Sequence, residues 1–509
     1  MAKLKEERAR RSPSARPFPP GDYPVVVLGS GPGGLQFAYS LGRLGIKHAA
    51  LSADGEPAGM FRRFPFFQRL ISWTKPYAPH ERGSRQYEWF DWNSLSGDVP
   101  EHRATVPPFM DGTSYFPSRA EMQRGMEAFA ERAGVEFRYG CRWESTSRDG
   151  ERFVVVTSDG EYRCDVLVVA VGMTEPWKPD NIPGLEDVPH YVETDEPEAY
   201  ADRRVFIIGK RNSGFELADG LLPWARQIVL ASPRPARISV LTHSVAAARA
   251  RYMQPYEDHV LAGGTLVLDA SIERVDQTAH GYRVTCKGTT VPGEVVFDVD
   301  RVIAATGFGT PLRDLPDLGL TTFSQGRLPG QTAYWESASI PGIFFAGSIT
   351  QGSIGLKKYG RPSGSAAVHG ARYNARVLAE HLATTRFGVK VERPSLEADD
   401  VVPYLLQEMS HAPELWNQQA YLSRVVTFDG GRGIVDEGIV PLAHFVDSGG
   451  PDAVAATVET SEHGEIRPAV YIRRDGSVDE QIMEGTLLHA FDTKEHHRHL
   501  SALLKPLLG

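Results

Sequence analysis

Residues 24–45 read PVVVLGSGPGGLQFAYSLGRLG, an apolar run that ends in a glycine-rich turn and continues with apolar residues at helical spacing. This order predicts strand, tight turn and helix. Gly29 permits the bend, Gly31 lets a pyrophosphate approach the backbone, Gly33 and Gly34 let helix and strand pack closely, and Pro32 belongs to the same cofactor-holding turn. The free N–H groups and positive end of the helix then face the phosphates. A second apolar strand, HAALS at 48–52, follows beyond Gly45, so the context is that of a dinucleotide site and not of an isolated glycine loop. That strand ends in Ser52 where an acidic residue is expected to hold the adenosine ribose, and Asp54 and Glu56 stand just beyond it. Either the serine hydroxyl or a shifted Asp54 carboxylate supplies the contact.

The pattern starts again at Arg204, with VFIIG, then Lys210-Arg211-Asn212-Ser213-Gly214, then an apolar helical stretch. Arg211 occupies the place of the middle glycine, so its guanidinium either pairs with phosphate or marks a degraded site. The strand QIVLAS is followed by Arg234 and Arg237, placed either to meet a 2′-phosphate, which favours NADPH over NADH, or to sit in a solvated loop. Two strands have small-residue ends, CDVLVVAVG closing at Gly172 and DVDRVIAATGFG closing at Thr306-Gly307. The chain then returns through IPGIFFAGS at 340–348 and a helix from about Ser365 to His381. One dinucleotide unit therefore interrupts the other. The expected fold is α/β, with two Rossmann-like units and a small C-terminal α+β appendage that begins near Gly388.

With 41% hydrophobic and 23% charged residues the composition is globular, and no apolar run approaches the roughly 20 residues of a membrane span. A formal charge of −9 argues against a nucleic-acid surface. The basic, Pro-rich residues 1–23 lack a secretory apolar stretch and read as a flexible lead-in, so the cytoplasm is the expected location. Cys141, Cys164 and Cys286 form no Cys-x-x-Cys pair, which removes the signature of a dithiol relay or a zinc site. In the appendage, turns are expected at His463-Gly464 and Asp475-Gly476, and EHHRH at 495–499 reads as a solvated helix end and not as a metal site.

On the Gly29 turn, RRFPFFQRLISWTK, DWNSL at 91–95, YFP at 115–117, GKRNSGFE and SGSAAVHGARYNARVL, the chain resembles the two-dinucleotide-binding flavoproteins that include flavin-containing and N-hydroxylating monooxygenases. The likeness is greatest to the FAD-dependent oxidoreductase domain-containing protein 2 group and runs from about Pro24 to Leu382. It implies an FAD domain at 24–195 and 311–387, an NAD(P)H domain at 196–310, and the appendage at 388–509. It further implies FAD and NADPH as cofactors, with molecular oxygen and a small molecule as partners. The expected reaction is oxygen transfer through a C4a-hydroperoxyflavin, as N-hydroxylation of an amino acid or amine.

The resemblance also nominates residues. Lys75 and Asn93 are the catalytic candidates, with a surface lysine and a turn-capping asparagine as the alternatives. Met60 and Arg62 fall on the loop that passes over the isoalloxazine, where Arg62 or Arg63 would pair with pyrophosphate. Gly347-Ser348 replaces the Gly-Asp that holds the ribityl chain. Lys357, Lys358 and Arg361, with Lys75, His80 and Arg82, would receive a substrate carboxylate, or else form a solvated turn. Two other functions stay open, a flavin oxidase or dehydrogenase and a flavin-bearing interaction protein without turnover. The appendage either covers the active site or builds a homo-oligomer.

Overall fold

The computed structural model describes residues 16–65, 69–239, 248–252, 264–353, 355, 358 and 363–508. Strand β1 spans Gly21–Leu28 and so begins ahead of the apolar run at Pro24. It leads through the glycine turn into helix α1 (Pro32–Arg43) and then β2 (His48–Ser52). Helix α2 (Arg119–Ala133), capped at Ser118 by a reciprocal bond with Glu121, precedes β3 (Arg138–Tyr139), β4 (Trp143–Asp149), β5 (Arg152–Thr157) and β6 (Gly160–Val169). The strand order is β3-β2-β1-β6-β5-β4. Alternation along β1 sends Val25 and Val27 into one buried cluster and Val26 and Leu28 into another on the opposite face.

After β7 (Glu175–Pro176), the inserted unit runs through β8 (Arg204–Ile208), α3 (Asn212–Leu221), β9 (Gln227–Ser232), β10 (Thr265–Thr278), β11 (Gly281–Gly288), β12 (Glu294–Val299) and β13 (Arg301–Ala304). These strands form a second sheet in the order β12-β11-β10-β9-β8-β13. The strand β14 (Phe308–Gly309) pairs with β7, which ties the outgoing and returning crossings together. A short hairpin of β15 (Thr322–Phe323) and β16 (Leu328–Pro329) follows. Then β17 (Ile343–Phe345) joins β6 of the first sheet in parallel, and α4 (Val368–Arg386) packs on α1. The return of the chain to the first sheet is the interruption expected from sequence.

The appendage is α+β. Its helices α5 (Ala398–His411), α6 (Pro413–Asn417) and α7 (Lys494–Leu508) accompany β18 (Leu422–Asp429), β19 (Gly433–Pro441), β20 (Asp452–Thr460), β21 (Ile466–Arg474) and β22 (Ser477–Ile482). The sheet order is β19-β18-β20-β21-β22, and Leu405 and Met409 of α5 meet Leu500 and Leu504 of α7 beneath it. Asp475 and Gly476 both take positive φ, 50° and 79°, at the β21–β22 turn, as a two-residue hairpin loop requires. In the EHHRH segment His496 is buried and its ring bonds Glu484 O (2.8 Å); no metal-binding cluster occurs among the described residues. No helix among them is long and apolar enough to cross a membrane.

Candidate dinucleotide sites

In the first turn, Gly29 has φ 106°, and a Cβ there would stand 2.6 Å from Ala170 O. One at Gly34 would stand 1.8 Å from Gly29 O, and one at Gly33 would stand 2.1 Å from the Gly347 Cα. Side chains are therefore excluded at three of the four glycines. Gly31 differs, since a Cβ there meets only Met60 Sδ at 3.8 Å. The open backbone at Gly31 and the free N–H groups of α1 beyond Pro32 form a cradle that fits a pyrophosphate.

On the β2 side, Ser52 is buried, with its hydroxyl 2.7 Å from the Ser30 hydroxyl, and it accepts from the Asp54 N–H at 3.2 Å. Asp54 pairs with Arg63, while Arg62 pairs with Glu56 and lies 3.4 Å from Glu127. Both arginines thus meet carboxylates around Ser52 and not the glycine turn. On the other side of β1, Gly172 (φ 69°) faces Ser348 Oγ, which a Cβ there would approach to 3.5 Å. The structure brings together Gly29, Gly31, Gly33, Gly34, Met60, Gly172, Gly347 and Ser348.

The second turn repeats the first. Gly209 N–H donates to Ala231 O (2.9 Å) as Gly29 N–H donates to Leu51 O (2.8 Å). A Cβ at Gly209 would lie 2.3 Å from Ala305 O, and one at Gly214 would lie 2.2 Å from Gly209 O. Two of the three glycines that meet backbone recur in the second unit as Gly209 and Gly214, while Ser213 stands in the place of Gly33 and Arg211 in that of the open Gly31. Arg211 caps α3 in extended geometry (φ −110°, ψ −165°). Arg211 and Arg234 are exposed and have no ion-pair partner among the described residues. Asn212 Oδ1 accepts from the Arg249 N–H (3.1 Å), and Ser213 is half-buried beside it. Thr306 Oγ1 donates to Trp177 O (2.5 Å), and Gly307 O lies 2.9 Å from His190 Nε2, so this pair braces the crossing between units.

Sequence reasoning missed Lys210, whose buried ammonium pairs with Asp269; that carboxylate also accepts from Thr290 Oγ1 (2.9 Å). A lysine directly after the strand VFIIG and an aspartate closing TLVLD were the available signals. It also missed Glu216. Burial pushes that carboxyl up to about 7, against the pull of the Tyr191 hydroxyl and Arg251.

The block after Arg63 carries the two catalytic candidates. Asn93 is fully buried: Oδ1 accepts from Ser72 Oγ (2.5 Å), and Nδ2 donates to Ser72 O (3.2 Å) and Thr74 Oγ1 (3.0 Å). Both amide hydrogens are occupied, so Asn93 is a strut of this block. Arg372 of α4, also buried, bonds Asp91 O (2.9 Å) and Ser94 O (2.7 Å) and fixes the strut to the helix. Lys75 is exposed and lies 5.3 Å above the Trp73 ring and 5.6 Å above that of Phe90. Lys357 and Arg361 lie outside the described residues. Lys358 turns to the appendage, where Glu459 (3.1 Å), Glu480 and the Tyr471 hydroxyl hold its ammonium.

All three cysteines are free and buried. Burial raises each thiol, Cys164 and Cys286 to about 12, so none supplies a thiolate near neutral pH.

Comparison with known proteins agrees with this geometry. The zebrafish (Danio rerio) FAD-dependent oxidoreductase domain-containing protein 2 is 26% identical over 470 residues, 80% of this chain and 65% of that protein. The chain therefore spans about two thirds of that relative's length. A ferredoxin–NADP reductase of Salinispora arenicola is 24% identical over 356 residues, 68% of this chain and 92% of that protein. Among solved structures, a flavin-containing monooxygenase from Stenotrophomonas maltophilia superposes with a TM-score of 0.54 at 21% identity, covering 72% of this chain and 99% of that one. Residues 26–347, which hold both glycine turns, match the pyridine nucleotide-disulphide oxidoreductase family. The chain belongs to that family, as an FAD-dependent flavoprotein with two dinucleotide-binding units.

Proposed function

We propose that the chain is an NADPH-dependent monooxygenase that transfers oxygen to a small amine. The observation that carries this reading is the combination of two glycine-turn cradles, the second altered at Arg211 and Ser213, with three inert thiols. Without a dithiol relay, electrons from the flavin go to oxygen, to a small substrate or to an outside protein. The appendage weighs against the last. Gly364, at the approach to α4, is covered by Asn417, whose carbonyl oxygen a Cβ would meet at 2.1 Å, and the Tyr421 ring stands against Gly355.

When bound, FAD supplies electron storage and oxygen activation. The chain's own residues hold and shield it. Gly31 and α1 receive the pyrophosphate, Ser52 and its neighbouring carboxylates take the adenosine side, and Gly172, Gly347 and Ser348 line the side toward α4. NADPH is assigned to the Gly209 turn, where the exposed Arg211 and Arg234, without an ion-pair partner among the described residues, suit phosphate groups. The amine is preferred over a carboxylate-bearing amino acid because Lys358 is already paired with Glu459.

Anaerobic mixing with NADPH tests the first half of the proposal. The flavin absorbance is expected to bleach faster with NADPH than with NADH, and oxygen with a panel of amines is then expected to give products heavier by one oxygen atom. A flavin that NADPH leaves oxidised refutes the proposal. Reduction that passes only to a protein acceptor, as in the ferredoxin–NADP reductase relative, replaces it with a reductase.

A further inference from the structure

A line of buried polar side chains runs from the appendage to the first glycine turn. Gln418 lies between α6 and β18 and is fully buried. Its Oε1 accepts from the Gly364 N–H (2.8 Å), and its Nε2 donates to Ser365 Oγ (2.9 Å) and Asn374 Oδ1 (2.6 Å). Asn374, on α4, donates to Ser365 Oγ (2.7 Å) and Thr350 Oγ1 (3.0 Å). Thr350 Oγ1 in turn donates to Gly347 O (2.6 Å). Gly347 is the residue whose backbone lies against Gly33, so the line ends on the FAD cradle itself.

The same glutamine holds the approach to α4. A Cβ on Gly370, in the first turn of α4, would stand 2.4 Å from the Gly364 carbonyl carbon, while Asn417 O closes on Gly364 from the opposite side. Gly364 is pinched between helix and appendage, and its N–H finds its acceptor on the appendage. The direction of the dinucleotide gives this its meaning. Were FAD bound with its adenosine side at β2, Gly172, Gly347 and Thr350, which follow β6 and β17 on the far side of β1, would be the residues to hold its other half. The free N–H groups at a helix start favour negative charge, and a reduced flavin carries more of it than an oxidised one.

We infer that Gln418 is a positioning residue through which the appendage fixes the flavin end of the cradle, so that the appendage sets both FAD retention and the balance between oxidised and reduced flavin. This rests on the assignment of FAD to the Gly29 turn. Loss of one of these hydrogen bonds also leaves a buried partner unsatisfied. The joint effect of removing one node is about tenfold in an equilibrium.

The test uses the full chain with Gln418→Met, Ser365→Ala and the double substitution. FAD dissociation constants and midpoint potentials are read against redox dyes. Each single variant is expected to bind FAD about tenfold more weakly. Each also shifts the oxidised-to-reduced ratio at fixed dye potential about tenfold toward oxidised, which for a two-electron couple is about 30 mV. The double variant is expected to do no worse than the poorer single, because both act in one network. Wild-type affinity and potential in the single variants, or additive effects in the double, overturn the inference. If Gln418→Met fails to fold, Ser365→Ala decides on the same criteria. A wild-type chain that stays colourless and takes up no FAD overturns the underlying assignment, whereas a yellow wild type with indistinguishable variants overturns only the role of Gln418.

Discussion

Replacing Glu216 with glutamine is expected to stabilise the chain above neutral pH, by an amount set by the burial of its carboxyl. Glu216 lies on α3 at 7% exposure, its Oε2 accepts from the Tyr191 hydroxyl (2.5 Å), and its Oε1 has no partner among the described residues. Desolvation is the largest cause moving this group from 4.5 to about 7; Tyr191 and Arg251 pull it down, and Asp219 pushes it further up. A folded-state value above the unfolded one means that the native chain binds more protons between those two values. Stability from this group is therefore full below about 4.5 and is lost as pH rises through 7. At 1.36 kcal/mol per unit, the full cost above that window is about 3 kcal/mol.

Glutamine keeps an acceptor for Tyr191 and carries no charge, but its amide hydrogens need acceptors, which lowers the expected gain to about 1–2 kcal/mol at pH 8. At pH 5, where Glu216 is largely protonated, the two proteins are expected to differ little. Urea denaturation of both at pH 5, 6, 7 and 8, followed by circular dichroism, reads the difference directly. A difference that stays constant across that range, or that narrows with rising pH, refutes the reasoning.

Three further expectations follow from the same geometry. Gly33→Ala drives a Cβ to 2.1 Å from the Gly347 Cα and is expected to abolish FAD retention; Gly42→Ala meets nothing within 4 Å and should keep the flavin while gaining about 0.5–1 kcal/mol, as flavin-to-protein absorbance ratios and melting will report. Asn93→Ala should cost about 1–3 kcal/mol in denaturation while leaving the rate of flavin reduction unchanged; an unchanged stability with a lost rate would return Asn93 to the chemistry. His381 stacks on Tyr334 at 3.7 Å, and burial, His444 and Arg386 bring its ring down to about 4. As pH falls from about 6.5 through that value the unfolded chain takes the proton first, so stability is lost on acidification, and His381→Phe should flatten melting curves in that window.

What was legible in the sequence was what backbone geometry dictates. Gly29, Gly33 and Gly34 stand where a Cβ would strike the carbonyl oxygen or Cα of a neighbouring strand or turn, so their spacing announces the fold without help from distant residues. Gly209 and Gly214 do the same in the second unit, which is why Arg211 could replace the open middle glycine without disturbing the architecture. The roles of polar side chains were less legible. Whether Asn93 faces a ligand or its own chain depends on Ser72 and Thr74 folding back across it. Lys358 finds Glu459 across a sequence separation of 101 residues. Gln418, in a stretch without any motif, could be seen only once α4 and the appendage were side by side.

Under the proposed function, the appendage bears on which substrates to try first. The sequence places a group of cations around the predicted flavin, and their sum suggests a pocket for a carboxylate. Among the described residues, the acidic groups of the appendage reach Lys358 of that set, and Arg85 outside it. Arg85 lies between Glu408 and Glu414, each 2.8 Å from its guanidinium, and Lys358 lies between Glu459 and Glu480. Of the others, Arg82 donates to Pro76 O (2.8 Å), His80 stacks on Phe90 (5.4 Å), and Lys75 rests on Trp73. A carboxylate approaching Lys358 would have to displace an internal carboxylate from an existing pair, which returns no net Coulombic gain and adds the desolvation of a new charge. An amine without a carboxylate meets no such competition at Lys358, which is why amines come before amino acids in the panel that tests the proposed reaction.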